Sequence, residues 1–121
     1  MKNLFTGYLV LNLLLEGVAA ITLIGAALGL LSIAGLESGF WSMNYGFAAI
    51  AIASAIFWVW PHRSRREAVE PVLGILFSFH ALVSVSFAID GNQVPPIVVH
   101  GAMAALAIYL YSHRAAWCSE A

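Results

Sequence analysis

The amino-acid sequence predicts an all-α polytopic membrane protein, a four-transmembrane-helix bundle that forms a single domain over residues 1–121. The first observation behind this fold class is the composition. Hydrophobic residues make up 62% of the 121 residues and charged residues 9%, against roughly one-quarter charged in an average soluble domain. So few charges cannot cover the surface of a water-soluble domain of this size, and much of that surface must therefore face lipid.

The second observation is a series of four apolar stretches, each of which approaches or exceeds the ~20 residues that cross a ~30 Å hydrocarbon core. They cover about residues 4–36, 40–60, 69–89 and 94–112. A turn at residues 35–39 ends the first, Pro61 ends the second, Pro71 lies in the first turn of the third, and Asp90-Gly91-Asn92 precedes the fourth. The stretches are continuous and rich in Ala and Leu, which excludes the alternating strands of a membrane β-barrel.

The basic residues predict the orientation in the membrane. All five lie at the N-terminus, in the second loop or near the C-terminus: Lys2, Arg63, Arg65, Arg66 and Arg114. Four crossings bring these segments to one side, which the positive-inside rule makes cytoplasmic. We therefore expect both termini in the cytoplasm and the chain in a bacterial inner membrane. The net charge of −1 excludes a nucleic-acid footprint, and the single cysteine, Cys118, excludes a disulfide framework or a zinc cluster.

Three ionisable residues inside the predicted spans are the candidate site. Glu16, His80 and His100 lie about 16, 16 and 18 Å from the cytoplasmic side at ~1.5 Å per helical residue, so three helices bring one group each to the same layer. The spans contain no Lys or Arg, and a lone carboxylate near the bilayer middle is costly, which favours a functional role for Glu16. For each histidine alone, a structural hydrogen bond is as plausible as a function. We predict that the three residues exchange protons or act as acid and base.

Four polar residues share helix faces with these groups or with small residues: Asn12, Asn44, Ser84 and Tyr111. We expect them to contact a ligand held between the helices. On the opposite face of the first helix, Gly25 and Gly29 form a small-xxx-small pair. This pair predicts close contact with a neighbouring helix or a second protomer.

The favoured function is proton-linked binding or transport of a small lipophilic ligand, which competes with protonation of Glu16. An alternative is a membrane-embedded isomerase or cyclase that uses Glu16 and a histidine as acid and base on a lipid-soluble substrate. A further alternative is a structural subunit of a membrane complex. The expected partners are the lipid bilayer, the ligand and further copies of the chain in a homodimer or larger oligomer, with no nucleic acid.

No cofactor or metal ion is expected, although two histidines leave a metal ion or haem open at His80 and His100. The sequence contains no HxxxH or ExxH spacing that would place two ligands on one helix face. Its only cysteine lies near the C-terminus, far along the chain from both histidines. The pattern for a bound metal is therefore weaker than the pattern for proton exchange.

The layout of four short spans with a lone glutamate in the first resembles that of the small multidrug-resistance transporters. That resemblance implies a dimer in which such a carboxylate couples transport to protons. It extends to the layout alone. The segment Asn12-Leu13-Leu14-Leu15-Glu16-Gly17-Val18 lacks the family's small residues before the glutamate, and His80 stands in the third span, where the family has a pattern of Tyr, Trp and Gly. The strong basic bias also departs from the dual topology known in that family.

Overall fold

In the computed structural model, which describes residues 1–32, 39–91 and 93–119, the chain forms five α-helices. Their bounds are α1 Lys2–Ala27, α2 Phe40–Ala53, α3 Ala55–Val59, α4 Arg66–Asp90 and α5 Val94–Ser112. Short 3-10 turns follow α3 and α5, at Trp60–His62 and Arg114–Ala116. Four segments of the described residues are long and apolar enough to cross a membrane: α1, Phe40–His62, α4 and α5. The predicted all-helical fold with four candidate spans is confirmed.

The helices belong to two compact units. Unit 1 consists of Met1–Tyr8 together with Val59–Ala121, and unit 2 consists of Leu9–Trp58. The first turns of α1 therefore belong with α4 and α5, whereas the rest of α1 belongs with α2.

In unit 1, α4 and α5 form an antiparallel hairpin. Glu70 near the start of α4 meets Arg114 just after α5, and Ser84 near the end of α4 meets Ile97 near the start of α5. Gly91 ends α4 with φ 80°, a left-handed conformation that glycine adopts at low cost. Apart from the adjacent pair Met103 and Ala104, the buried positions repeat every three or four residues along each helix: Val69, Leu73, Leu76, His80, Met103, Ala104, Ala107 and Leu110. This spacing gives each helix one face in the interior of the hairpin.

The N-terminus, the loop before α4 and the C-terminal segment meet at one end of unit 1. The Trp117 ring packs on Phe5 with the ring centroids 5.1 Å apart. The backbone N–H of Ser119 donates to the carbonyl of Ser64 at 2.7 Å, and that of Arg66 donates to the carbonyl of Ser119 at 3.2 Å. The three segments that carry the basic residues therefore lie at the same end of the hairpin.

In unit 2, α1 and α2 approach each other closely at Gly46. A Cβ atom added to Gly46 would lie 2.5 Å from Cγ1 of Ile24 and 3.4 Å from the carbonyl oxygen of Ala20. A second contact ties the same two segments, since the side-chain amide of Asn12 donates to the carbonyl of Ile52 at 3.0 Å. Small residues on α2 thus allow the close helix contact in this unit.

The prediction that Gly25 and Gly29 form one close-contact helix face is wrong. α1 ends at Ala27, and Gly29 follows with φ 69° and no described atom within 4 Å of an added Cβ. The N–H groups of Leu30 and Gly29 donate to the carbonyls of Gly25 and Ala26, at 2.8 and 3.0 Å, which is the hydrogen-bond pattern of a Schellman cap. The helix therefore stops before the predicted end at residue 36. The predicted turn at residues 35–39 lies outside the described residues except for its last glycine.

The second and third spans also differ locally from the prediction. Ser54 interrupts the second span between α2 and α3, and its hydroxyl donates to the carbonyl of Ala51 at 2.7 Å, a bond that competes with regular helix pairing. α4 begins at Arg66 rather than near residue 69, so Pro71 lies in its second turn instead of its first. The fourth span, by contrast, coincides with the predicted residues 94–112.

Candidate functional site

His80 and His100 face each other across the α4–α5 hairpin. Their Nδ1 atoms are 2.9 Å apart and share a hydrogen bond, and their ring centroids are 5.1 Å apart. His80 is fully buried and His100 is partly buried. The antiparallel pairing of α4 with α5 thus brings together two of the three predicted ionisable residues.

The contact between the two Nδ1 atoms determines how many protons the pair can hold. A neutral imidazole carries hydrogen on one ring nitrogen, so this hydrogen bond needs one Nδ1–H donor and one bare Nδ1 acceptor. In its neutral form the donor ring carries no hydrogen on Nε2, so a further proton would be added at that nitrogen. A second would have to enter at the accepting Nδ1, where two N–H groups would then face each other across 2.9 Å. The geometry therefore suits a pair that gains and loses one proton.

Two phenylalanine rings that the sequence did not mark as functional flank the histidines. Phe79 makes T-shaped contacts with both, at centroid distances of 5.3 Å from His80 and 6.3 Å from His100. Phe87 stacks on His100 at 6.1 Å. The two rings cover part of the pair with apolar surface. The signal in the sequence that points to Phe87 is its spacing of seven residues from His80, two turns along one helix face.

Ser84 connects α4 to α5 one turn beyond His80. Its hydroxyl donates to the carbonyl of Ile97 at 2.9 Å, and a Cβ added to Gly101 would lie 3.4 Å from the Ser84 oxygen. This contact helps to set the register of the two helices beside the histidines. The Ser84 hydroxyl hydrogen is used in the hydrogen bond to the carbonyl of Ile97. In the ligand contact predicted from the sequence, Ser84 would therefore act only as an acceptor.

Glu16 and Asn12 lie one turn apart on α1 in unit 2. Their side chains are 2% and 0% exposed, whereas Leu14, Val18 and Ile21 lie on the exposed side of the same helix. The hydrogen bond from Asn12 to Ile52 holds this part of α1 on the second span. The Glu16 side chain therefore lies on the buried side of α1 and not on the exposed side, where its carboxylate would face lipid.

The other two residues predicted to bind a ligand are exposed. Asn44 donates to the carbonyl of Phe40 one turn earlier in α2, at 2.9 Å. Tyr111 lines a groove of about 510 Å³ between α4 and α5. A second groove of about 600 Å³, with an apolar lining, lies on unit 2. Neither groove is lined by Glu16 or by the two histidines, and ligand binding by Asn44 and Tyr111 stays a prediction.

The chemistry of the donor groups limits which cofactors fit. Within unit 1, His80 and His100 provide two imidazole groups, a donor type that suits zinc, copper, iron and nickel. A haem between the two histidines does not fit this arrangement, because iron bonded on opposite faces at ~2 Å would need ~4 Å between the nitrogens, and the Nδ1 atoms are 2.9 Å apart. No protein-family model, curated protein or solved structure matches the chain.

Proposed function

We propose that the chain is an integral protein of a bacterial inner membrane that binds or transports a small lipophilic ligand in exchange for a proton. The observation that carries this proposal is the hydrogen bond between the Nδ1 atoms of His80, which is buried, and His100, which is partly buried. Glu16 acts with the pair as the group for which the ligand and the proton compete. Buried ionisable side chains in otherwise apolar spans are typical of proton and substrate pathways in membrane proteins.

The positions of the three residues along their helices support a common layer. Glu16 lies 14 residues after the start of α1, and His80 lies 14 residues after the start of α4, about 21 Å along each helix. His100 lies 12 residues before the end of α5, about 18 Å. With the N-terminus, the loop before α4 and the C-terminus on one side of a bilayer, these distances correspond to one depth near its middle.

Charge balance makes a lipophilic cation the most suitable ligand. Glu16 is neutral while its carboxyl group is protonated. Loss of that proton to water creates a carboxylate that pairs with the entering cation, so the site together with its ligand stays neutral. The exchange avoids an unpaired charge near the bilayer middle, which costs about 3 kcal/mol on insertion scales. The histidine pair accepts the proton on its way out.

Membrane insertion with both termini in the cytoplasm is part of the proposal. Between 17% and 33% of the apolar window of each candidate span is buried inside the chain, so most of this apolar surface needs lipid or another copy to cover it. The basic segments lie together at one end of unit 1, as the positive-inside rule requires of a cytoplasmic side. Reporter fusions after Arg66 and after Asp90 should give cytoplasmic and extracytoplasmic signals respectively. An extracytoplasmic signal after Arg66 would contradict this orientation.

Proton release on ligand binding tests the function. Purified protein in weakly buffered detergent solution receives tetraphenylphosphonium, a lipophilic cation, while a pH indicator counts released protons and equilibrium dialysis counts bound probe. The wild-type protein should bind the probe and release about one proton per bound cation, as the exchange at one carboxyl group requires. Glu16→Gln keeps the side-chain shape but has no proton to exchange, so it should neither bind nor release. Glu67→Gln removes a carboxylate whose side chain is 55% exposed and should behave like the wild type.

Three outcomes would contradict the proposal. Binding without proton release would exclude proton linkage. Equal binding by Glu16→Gln would exclude Glu16 as the exchanging group, provided that circular dichroism shows an unchanged helix content. Loss of wild-type binding in the presence of a metal chelator would show that ligand binding needs a metal ion, and proton exchange would then not explain the site. Native mass spectrometry of the same sample tests the proposed dimer or larger oligomer, which a purely monomeric mass would contradict.

A further inference from the structure

We propose that the His80–His100 pair is a proton relay that reverses with each use: it carries one proton from one helix of the hairpin to the other when the ligand binds, and the next proton that it carries must travel back. This inference rests on the proposed function, because the proton that the pair moves is the one exchanged for the ligand. It adds that the pair cannot conduct protons continuously in one direction.

The two imidazole rings meet end to end. Their Nδ1 atoms are 2.9 Å apart, an ordinary hydrogen-bond distance. Their ring centroids are 5.1 Å apart, which is close to the largest separation that two five-membered rings in such a contact can have. Stacked rings with the same nitrogen contact would bring the centroids much closer. Each Nδ1 atom therefore points at the other along a nearly straight line, the arrangement in which a proton passes most directly between two nitrogens.

One passage through the pair moves one proton in and another out. In the neutral pair, the first ring donates through Nδ1–H and has no hydrogen on Nε2, while the second ring accepts through Nδ1 and carries hydrogen on Nε2. A proton that bonds to Nε2 of the first ring makes that ring cationic. Its Nδ1–H bond then breaks as an N–H bond forms at Nδ1 of the second ring, and the positive charge moves with the proton. The second ring becomes neutral again when its Nε2 proton leaves.

The passage leaves the hydrogen bond between the rings reversed. The first ring now carries hydrogen on Nε2 and accepts through Nδ1, so a second proton from the same side finds only the Nδ1 that is already engaged in the hydrogen bond. A proton from the opposite side bonds to Nε2 of the second ring, passes back and restores the starting pair. The relay therefore suits an exchange in which a proton leaves as the ligand binds and a proton returns as the ligand leaves.

The packing of the two rings opposes a reset of the pair by rotation. A half-turn of either imidazole would put a carbon atom in the place of Nδ1 and break the hydrogen bond between the rings. His80 is fully buried, and Phe79 makes T-shaped contacts with both rings. Phe87 stacks on His100 with 25° between the ring planes. Because rotation in a closely packed interior requires neighbouring side chains to move, we expect proton passage to be the faster way to reverse the hydrogen bond.

Nitrogen-15 NMR of the ligand-free and the cation-bound protein tests the reversal. Ring-labelled protein in lipid bilayers, with His62→Gln and His113→Gln introduced to remove the other histidine signals, is measured before and after saturation with tetraphenylphosphonium. The ring that carries hydrogen on Nδ1 without the cation should carry it on Nε2 with the cation, and the other ring should change in the opposite sense. While the cation pairs with the carboxylate, a returning proton has no group to bond to, so the reversed pair persists. Glu16→Gln has no proton to exchange and should show no reversal.

The rate of proton release tests whether the pair is the route. Stopped-flow mixing of the protein in detergent with tetraphenylphosphonium, in the presence of a pH indicator, gives both the rate and the final number of released protons. His80→Gln and His100→Gln should still release about one proton per bound cation but about 100-fold more slowly, the lower value for a positioned proton-transfer group. His62→Gln replaces an exposed histidine and should release its proton at the wild-type rate.

Proton flux into vesicles tests the limit of one proton. Vesicles that contain the wild-type protein and a pH indicator receive a pH gradient without any lipophilic cation, while valinomycin and potassium prevent a membrane potential. Proton entry should not be sustained above that of protein-free vesicles.

Three results would overturn the relay: a ring that keeps hydrogen on Nδ1 in both states, a wild-type release rate in His80→Gln and His100→Gln, or sustained proton flux without the cation. If the two variants do not fold, the NMR comparison decides, because it leaves both histidines in place. Cation binding with proton release but without reversal is a failure of the relay alone. Absence of proton release from the wild type is a failure of the proposed function, and the relay then fails with it.

Discussion

Gly46→Ala should destabilise unit 2, because the close approach of α1 to α2 leaves no space for a methyl group. The new Cβ would lie 2.5 Å from Cγ1 of Ile24, a branch atom close to the backbone that can move only if the side chain or the helix moves. Overpacking of this kind costs about 1–3 kcal/mol. Replacement of glycine by alanine inside a helix returns about 1 kcal/mol. The free energy of unfolding should therefore fall by about 1 kcal/mol, which is about fivefold in the unfolding equilibrium.

Gly17→Ala is the matched control for this variant. Gly17 lies inside α1 in the same unit and has no atom within 4 Å of an added Cβ. Alanine at this position should therefore raise the free energy of unfolding by about 1 kcal/mol through its helix propensity, without a clash. Reversible unfolding by sodium dodecyl sulfate in mixed micelles, followed by circular dichroism, measures both variants. The expected difference between them is about 2 kcal/mol. Equal stability of the two variants would refute the contact at Gly46.

Three further predictions concern single residues. Ser84→Ala should lower the free energy of unfolding by about 0.6 kcal/mol, the usual value of an interhelical hydrogen bond in a membrane protein, while Ser84→Thr should retain the bond to Ile97; the same unfolding titration compares them. Gly91→Ala should cost about 1–2 kcal/mol because of its left-handed backbone, and Gly91→Asn should cost less, so an equal loss in both would contradict this reason. Burial, with a contribution from the Glu70 carboxylate, raises the pKa of the Cys118 thiol. Less thiolate is then present at a given pH, and alkylation by iodoacetamide should require a higher pH than for a free cysteine; a rate–pH curve like that of free cysteine would contradict the shift.

The bounds of the fourth span, α5, and the common layer of His80 and His100 could be predicted from the sequence because their signals are local. Prolines at the start of this span and the turn around Gly91 define where α5 begins, and a hairpin of known helix lengths then fixes which residues lie opposite each other. The end of α1 could not be predicted in the same way. Its apolar run continues past residue 27 without a proline or a charge, and Gly29 in a left-handed cap has the same spacing from Gly25 as a glycine in a packing face.

The buried face of α2 also could not be predicted from the sequence pattern. Asn44 was expected among the ligand contacts, yet it is exposed and bonds to its own helix, while Gly46, Ala49 and Ala53 are buried. In a helix that is apolar on every side, hydrophobic periodicity does not distinguish an inner from an outer face. The inner face of α2 is instead determined by how well it fits α1, since the small residue Gly46 makes space for the side chain of Ile24. This complementarity cannot be recognised from the sequence of one helix alone.

The account depends most directly on the hydrogen bond between His80 and His100. Nitrogen-15 NMR of ring-labelled protein in lipid bilayers measures it, with His62→Gln and His113→Gln introduced to remove the signals of the other two histidines. One ring should show a protonated Nδ1, the other a bare Nδ1, and a coupling should connect the two atoms across the hydrogen bond. Replacement of either histidine by alanine should change the signals of the remaining ring. Two rings that both carry hydrogen on Nε2 and respond independently to substitution would contradict the proposed proton-exchanging pair.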